Sequence, residues 1–347
     1  MKLEEVTIII PTHNRNFLLK RSIEYYSNFN CSIIICDSSE NKSIEFQNNS
    51  NLTYLHYINI TFAKKLYNAI THVKTKYVCL SADDDFLSLK GVHEGVLFLE
   101  NNDDYFSVQG RYLQFYSNKN KFTTVNLYDA AGLIHYDSDS PFQRASDSSK
   151  NGMQLLYALH RTKGLLNSLK VSEICKPLTM VEYTSNLVPL LYGKHKMLNI
   201  FWMARDPKRY TSYENTSNSL NTVVYPLDLI AYFNTDNGIE FRNIFLQKCI
   251  EVTNSNIKDA EKVFYQIFFE NYIQNHVKYI LQRKNITKFI KIKNFLKKYL
   301  HTVIFLYNKI INVQTKNNFP FKEYEGDWIL IKNTIIKHNP VVKNFQI

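Results

Sequence analysis

The chain has 347 residues, 45% of them hydrophobic and 14% aromatic, and a net charge of +11, enough apolar material for one large core and a smaller one. Its five cysteines, Cys31, Cys36, Cys79, Cys175 and Cys249, are odd in number and lack CxxC spacing, which excludes a disulfide framework and a structural zinc site and fits a reducing cytoplasm. The charged N-terminus runs straight into an apolar strand and nowhere do 18 uncharged apolar residues occur together, so neither a signal peptide nor a membrane span is expected.

Residues 6–10 form a continuous apolar strand closed by Pro11. Residues 14–29 read as a helix, with Asn14 as N-cap and Leu18, Leu19, Ile23 and Tyr26 on its inner side. A second strand over 32–36 ends in Asp37, a third covers 52–57, a helix follows over 62–73, and a fourth strand over 77–81 runs into Asp83-Asp84-Asp85. Alternating strands and helices predict a mostly parallel α/β sheet with helices on both faces. Ligands of such sheets bind beyond the carboxyl ends of the strands, where this chain presents Thr12 to Arg15, Asp37 and the acid triplet.

Further along, 89–100 reads as a helix and 105–116 as a strand in an antiparallel part of the sheet. Residues 129–150 are rich in Asp and Ser without periodicity and read as a long loop. Residues 154–160 read as helical, 178–181 as strand, 182–192 as helix and 197–203 as strand, ended by Arg205 and Asp206. Beyond about 226 the pattern is helical, which gives two domains, 1–225 and 226–347. Within the second, residues 283–322 carry ten Lys/Arg and no Asp/Glu, ten of the eleven net charges. There Phe289, Ile292, Leu296, Tyr299, Val303, Leu306 and Ile310 recur at spacings of three and four, which predicts a basic amphipathic helix. Such a helix either lies on an anionic membrane surface or packs its stripe on its own protein.

The acid triplet carries most of the chemistry. Three adjacent carboxylates at a strand end repel one another unless a cation sits among them, and hard oxygen ligands suit Mg²⁺ or Mn²⁺ bridging the phosphates of a nucleotide. There is no GxxxxGK[ST], GxGxxG or GxSxG, and only nine glycines, so phosphate binding falls to metal and side chains rather than to glycine loops.

Three segments in order, 6–15 (VTIIIPTHNR), 36–39 (CDSS) and 81–86 (SADDDF), spaced by about 25 and 47 residues, resemble the N-terminal half of family 2 glycosyltransferases with the GT-A fold. The resemblance spans roughly residues 5–206. It implies a Rossmann-like mixed sheet, a nucleotide-sugar donor, and a DXD-type metal site holding Mn²⁺ or Mg²⁺ through Asp85 and Asp83, with Asp84 facing ribose or sugar. It also implies that Asp37 meets the nucleobase while Pro11, Thr12 and Arg15 line the nucleotide pocket. Where many relatives carry Ala-Arg-Asn before the fourth strand this chain reads AKKLYN over 63–68, so Lys65 is the candidate for that positive charge.

An inverting transfer needs a base for the acceptor hydroxyl. Glu182 is the candidate, 97 residues beyond Asp85, about where relatives carry an acidic base, with Asp147 and Asp206 in reserve. An acid in a helix's first turn is also favoured by the helix dipole alone. Arg205 and Arg161 are candidates for the diphosphate or acceptor, and each is equally a candidate surface ion-pair member. The expected activity is an inverting glycosyltransferase acting on a glycan or lipid-linked acceptor in cell-surface polysaccharide synthesis, in the cytoplasm or peripheral at the inner face of the membrane. A sugar-phosphate nucleotidylyltransferase and a non-catalytic glycan-binding scaffold are the alternatives. No nucleic-acid partner is expected.

Overall fold

The computed structural model describes residues 3–43, 51–118, 121–126, 132–151, 155–206, 231–271, 274 and 319–338. Nearly all of the predicted basic helix lies outside them.

Ten strands form one mixed sheet, the Rossmann-like architecture expected from the sequence. Its parallel half runs in the order β3 (Leu52–His56), β2 (Ser32–Asp37), β1 (Val6–Thr12), β4 (Tyr77–Leu80). It continues through β9 (Leu159–Arg161), β6 (Tyr105–Asn118), β10 (Lys194–Arg205) and β5 (Phe86–Leu87). The hairpin strand β7 (Lys121–Asn126) pairs with β6, and the two-residue β8 (His135–Tyr136) pairs with β10. β9 is antiparallel to both β4 and β6, so it joins the parallel half to the rest. Strand β6 is antiparallel to β7 and β9 as expected but parallel to β10.

Side-chain alternation along β1 explains the layers. Val6, Ile8 and Ile10 face one side and pack with Leu19, Tyr25 and Tyr26 of α1 (Asn16–Tyr26) and with Val92, Val96 and Leu99 of α3 (Leu89–Asn101). Ile9 faces the other side and packs with Ala63, Leu66 and Ile70 of α2 (Phe62–Ile70) and Leu165 and Leu169 of α5 (Thr162–Ser172). A register slip of one residue in β1 would exchange these two sets, which is why β1 tolerates no insertion.

Helices α4 (Pro141–Asn151), α6 (Leu178–Tyr192), α7 (Asp236–Thr253) and α8 (Ile257–Tyr265), with the π-helical turn Gln266–Asn271, enclose a second core. Phe233, Phe241, Phe245, Phe264 and Phe268 pack there mostly edge to face, the arrangement favoured by ring quadrupoles. The last described segment returns to the first core. Its helix α9 (Glu325–Lys337) buries Trp328, Ile331 and Ile335 beside α1 and α3. No helix among the described residues is long and apolar enough to cross a membrane.

Four expectations need correction. Asn14 is not an N-cap: it sits at φ 52°, left-handed, and α1 begins at Asn16. The loop expected over 129–150 contains α4, with Pro141 in the first helical position where proline is favoured. That helix buries Arg144, Ala145, Ser146, Ser148 and Ser149, so its inner face is small and polar and invisible to hydrophobic periodicity. Residues 155–161 form no helix; a turn leads into β9, because that stretch is needed as ladder partner to β4 and β6. Residues 178–181 are not a strand but the first turn of α6, whose buried positions Met180, Val181, Thr184, Leu187, Val188 and Leu191 keep a helical period straight through.

Candidate active site

The ends of β1, β2 and β4 lie side by side, Thr12 opposite Asp37, with the acid triplet just beyond β4. The acidic loop is held by α1. Ser22 Oγ donates to the Asp83 carbonyl at 2.7 Å, Arg21 to the Asp84 carbonyl at 3.1 Å and Tyr25 Oη to the Leu87 carbonyl at 2.6 Å, while Tyr26 Oη accepts the Leu87 amide at 3.0 Å. Arg21 thus occupies a position on the inner face of α1, between Leu18 and Tyr25, where a buried cation has a purpose.

The three acids point in different directions. Asp83 is fully buried and committed to the protein: Thr12 Oγ1 donates to Oδ2 at 2.7 Å, and the Arg15 guanidinium lies 2.7 Å from Oδ1. Asp84 lies 3.3 Å from the other Arg15 nitrogen. Asp85 accepts the Asp206 amide on Oδ1 at 3.1 Å and faces Arg205 Nε across 3.2 Å on Oδ2. Burial pushes Asp83 up to about 6 and Asp85 up to about 7, against the pull of Arg15 and Arg205 respectively; it raises Asp84 as well.

A cavity of about 210 Å³ opens above this edge. Asp84, Asp85, Arg15, Arg205, Asp206 and Glu182 line it, together with Pro11 and an apolar wall of Phe62, Leu156, Tyr157 and Leu178. Glu182 comes from the second turn of α6, not the first, so the helix-dipole explanation for an acid there loses its force. It is half-buried and makes no hydrogen bond or ion pair among the described residues, and burial raises its pKa, with the Arg205 charge opposing.

Thr12, Asp37, Lys65 and Asp83 lie beneath the cavity rather than on its wall. Both oxygens of Asp37 are engaged, one by the Ser39 amide at 2.8 Å and by Ser39 Oγ, the other by Tyr54 Oη at 2.7 Å. Lys65 is buried and its Nζ donates to the Thr12 carbonyl at 2.8 Å and to Ser38 Oγ at 2.9 Å, tying β1 to β2; burial lowers its pKa. Arg161 is turned away, donating to the Leu99, Asn102 and Tyr105 carbonyls, and Asp147 pairs with Gln143 and Lys150 on α4. Sequence reasoning missed Arg21, Phe62 and Tyr157. The signal for Arg21 was its place on an apolar helix face; Tyr157, in a turn fixed by the bond from Trp202 Nε1 to its carbonyl, left none.

Among the described residues no three His, Cys, Asp or Glu side chains converge as a ligand group. Magnesium-type sites, however, take one or two carboxylates and complete their shell with water and substrate phosphate. Asp85 and Asp84 on the cavity wall fit that requirement, with Asp206 beside them; Asp83, enclosed by Arg15 and Thr12, fits it less well.

No protein-family profile matches the chain, and no curated protein matches it. Among solved structures it is similar to S. aureus TarS residues 1–349 in complex with UDP-GlcNAc, at 11% identity and a TM-score of 0.47, over 80% of this chain and 92% of that one. The same TarS fragment without that ligand gives 11% identity and a TM-score of 0.44, over 80% and 91% of the two chains. A longer S. aureus TarS structure gives 12% identity and a TM-score of 0.42, and there this chain spans 70% of its own length and 42% of the other's.

Proposed function

We propose that the protein is an inverting glycosyltransferase of the GT-A type that moves a sugar from a nucleotide-sugar donor to a hydroxyl acceptor. The observation that carries this reading is the convergence of Glu182 with Asp84, Asp85, Arg15 and Arg205 around one cavity beyond the strand ends. Glycosyl transfer needs a base for the acceptor and positive charge for the departing diphosphate, and the lining of this cavity offers both.

In this reading Glu182 takes the proton of the acceptor hydroxyl. Its raised pKa makes it a stronger base than a solvated carboxylate, and among the described residues no partner occupies its oxygens. Arg15 and Arg205 supply charge and hydrogen bonds to phosphate oxygens. Asp85, with Asp84, holds Mn²⁺ or Mg²⁺, which when bound supplies Lewis acidity to the leaving group. The apolar wall of Phe62, Leu156, Tyr157 and Leu178 excludes water and gives the sugar a surface with an aromatic ring. Thr12, Lys65 and Asp83 hold the floor, and Asp37 contributes to the nucleobase end only through the loop it closes. The acceptor class, a glycan or lipid-linked precursor of a surface polysaccharide, follows from the family resemblance and the basic segment 283–322, which we assign to an anionic membrane surface. The two-domain division at about residue 226 belongs to the same reading.

The test is a melting-temperature screen of nucleoside diphosphates with and without Mn²⁺. A rise that requires both, and that Asp85→Ala removes, is the expected result. Glu182→Gln should keep donor binding and lose transfer; transfer at the wild-type rate would remove Glu182 from the mechanism.

A further inference from the structure

The Arg205 to Asp85 contact sits where the proposed metal has to go. Asp85 is 2% exposed and its Oδ1 already accepts the Asp206 amide, so Oδ2, facing Arg205 Nε at 3.2 Å, is the oxygen a cation has to approach. Arg205 itself is on the cavity wall, its side chain 27% exposed, and its guanidinium lies between the Tyr112 and Tyr157 rings, 6.0 and 5.4 Å from their centroids. A guanidinium between two ring faces has a favourable position to swing from without entering bulk water.

We propose that Arg205 is a latch that exchanges between two anions: it neutralises Asp85 in the resting site, and a divalent cation arriving at Asp85 displaces it onto the diphosphate of the nucleotide. The inference rests on the transferase reading and adds to it that metal and nucleotide bind in a linked fashion through one side chain. Three features support it. Asp85 is a buried carboxylate, costly to leave uncompensated, so one cation must leave only as another arrives. Arg205 is the last residue of β10 and lines the same cavity as Asp85, Glu182 and Asp206, so a diphosphate bound there is within its reach. Arg15, by contrast, pairs with Asp83 at 2.7 Å and with Asp84 at 3.3 Å, so its charge is set against the other two acids of the triplet.

The linkage has a definite sign. Metal alone competes with Arg205 and binds weakly. Once a diphosphate is present to receive the guanidinium, the same metal binds more tightly, and by reciprocity the metal tightens the diphosphate by the same factor. Removing the guanidinium abolishes the competition and the part of the linkage that runs through Arg205, leaving only the direct attraction between metal and phosphate. A residue that merely supports the fold would weaken both ligands and leave their mutual effect unchanged.

The experiment measures Mn²⁺ binding to the full chain by electron paramagnetic resonance without nucleotide, and binding of UDP, GDP, ADP and CDP by calorimetry with and without Mn²⁺. Wild type, Arg205→Gln and Arg205→Lys are compared, with melting curves to verify folding. Arg205→Gln should bind Mn²⁺ alone about tenfold more tightly, as expected for removing one competing charge from a part-buried pair. It should also bind the preferred nucleoside diphosphate more weakly in the presence of Mn²⁺, and lose most of the mutual enhancement. Arg205→Lys, which keeps the charge but not the planar fork, should fall between the two. Unchanged or weaker Mn²⁺ binding by Arg205→Gln, with the wild type still showing metal-dependent nucleotide binding, overturns the latch and leaves the transferase reading intact. A wild type that binds neither Mn²⁺ nor any of the four nucleotides overturns both.

Discussion

A row of buried polar residues crosses the middle of the sheet: His160 on β9, Ser107 on β6 and His195 on β10 are register neighbours, all fully buried. Ser107 Oγ is 2.8 Å from His195 Nδ1, and His160 Nε2 is 2.7 Å from the Leu155 carbonyl. Burial lowers both imidazoles from 6.5, His160 to about 4 and His195 to about 3, the latter helped by its histidine neighbours. A depressed histidine contributes stability that is present above its unfolded pKa and lost as pH falls, so between pH 7.5 and 5.0 each should cost about 2 kcal/mol. That figure is set by the unfolded pKa and is insensitive to how far the native one is lowered. Asp83 and Asp85 work in the opposite sense. Their native values of about 6 and about 7 exceed the ordinary 3.8, so their contribution is present at low pH and is lost as pH rises through those values. Over the same interval the aspartate pair should gain stability on acidification, opposing the histidines. The metal-free protein should therefore show a stability profile made of two opposed parts. Urea denaturation in chelator at pH 7.5 and 5.0 separates them. His195→Gln should make the change on acidification about 2 kcal/mol more favourable than in wild type, and Asp85→Asn should make it less favourable. A His195→Gln variant with the wild-type change would mean that His195 is already charged or open to water at pH 7.5, and the argument would fail.

Glu182→Gln should lower kcat by about 10²- to 10⁴-fold, the usual worth of a general base, with nucleotide affinity within a factor of two by calorimetry. Asp327 on α9 accepts the Lys90 amide at 2.9 Å and a short bond from Ser88 Oγ, the N-cap of α3, so Asp327→Ala should cost about 1–2 kcal/mol in urea melts. A Cβ on Gly91 would collide with the Phe201 carbonyl, so Gly91→Ala should destabilise by about 1–3 kcal/mol despite alanine's better helix propensity, and a stabilised variant would contradict the packing.

The parallel half of the fold was readable because its strands are continuous apolar runs and its helices have apolar stripes. Ile8, Ile9 and Ile10 in succession admit few other readings once Pro11 closes them. The same logic misread the middle of the chain for identifiable reasons. Helix α4 buries serines and an arginine, whose Nε donates to the Leu190 carbonyl at 2.8 Å, so no apolar period marks it. The apolar start of α6 resembles a strand because four residues are too few to separate periods of 2 and 3.6. For the site, spacing in sequence pointed to loops that meet at one edge of the sheet but could not say which carboxylate turns inward. Asp83 and Asp85 differ by what lies across from them, Arg15 and Thr12 in one case and Arg205 in the other, and of these Thr12 comes from 71 residues before and Arg205 from 120 after.

The resulting arrangement explains why such a charge-rich loop is compatible with a stable fold. The carbonyls of Asp83, Asp84 and Leu87 and the amide of Leu87 are held by four side chains of α1, and α9 in turn braces α1 through Lys337 and His338 to Glu24 and braces α3 through Asp327. Backbone position in the loop is therefore fixed by groups that carry no part in the chemistry. Under the proposed exchange the carboxylates would trade their counter-charges, guanidinium for metal, without the loop itself rearranging, which is the condition for electrostatic stabilisation that costs little reorganisation at the moment of reaction. It follows that Arg21→Met, which keeps a buried aliphatic stem but removes the guanidinium from over the Phe86 ring, the bond to the Asp84 carbonyl and the contact with Asp206, should impair metal-dependent nucleotide binding. The loss expected in stability is about 2 kcal/mol, the worth of one charge-assisted hydrogen bond. Equal loss of stability with unaltered metal-dependent nucleotide binding would show that the loop holds its shape without α1, and the division between scaffold and chemistry would have to be drawn elsewhere.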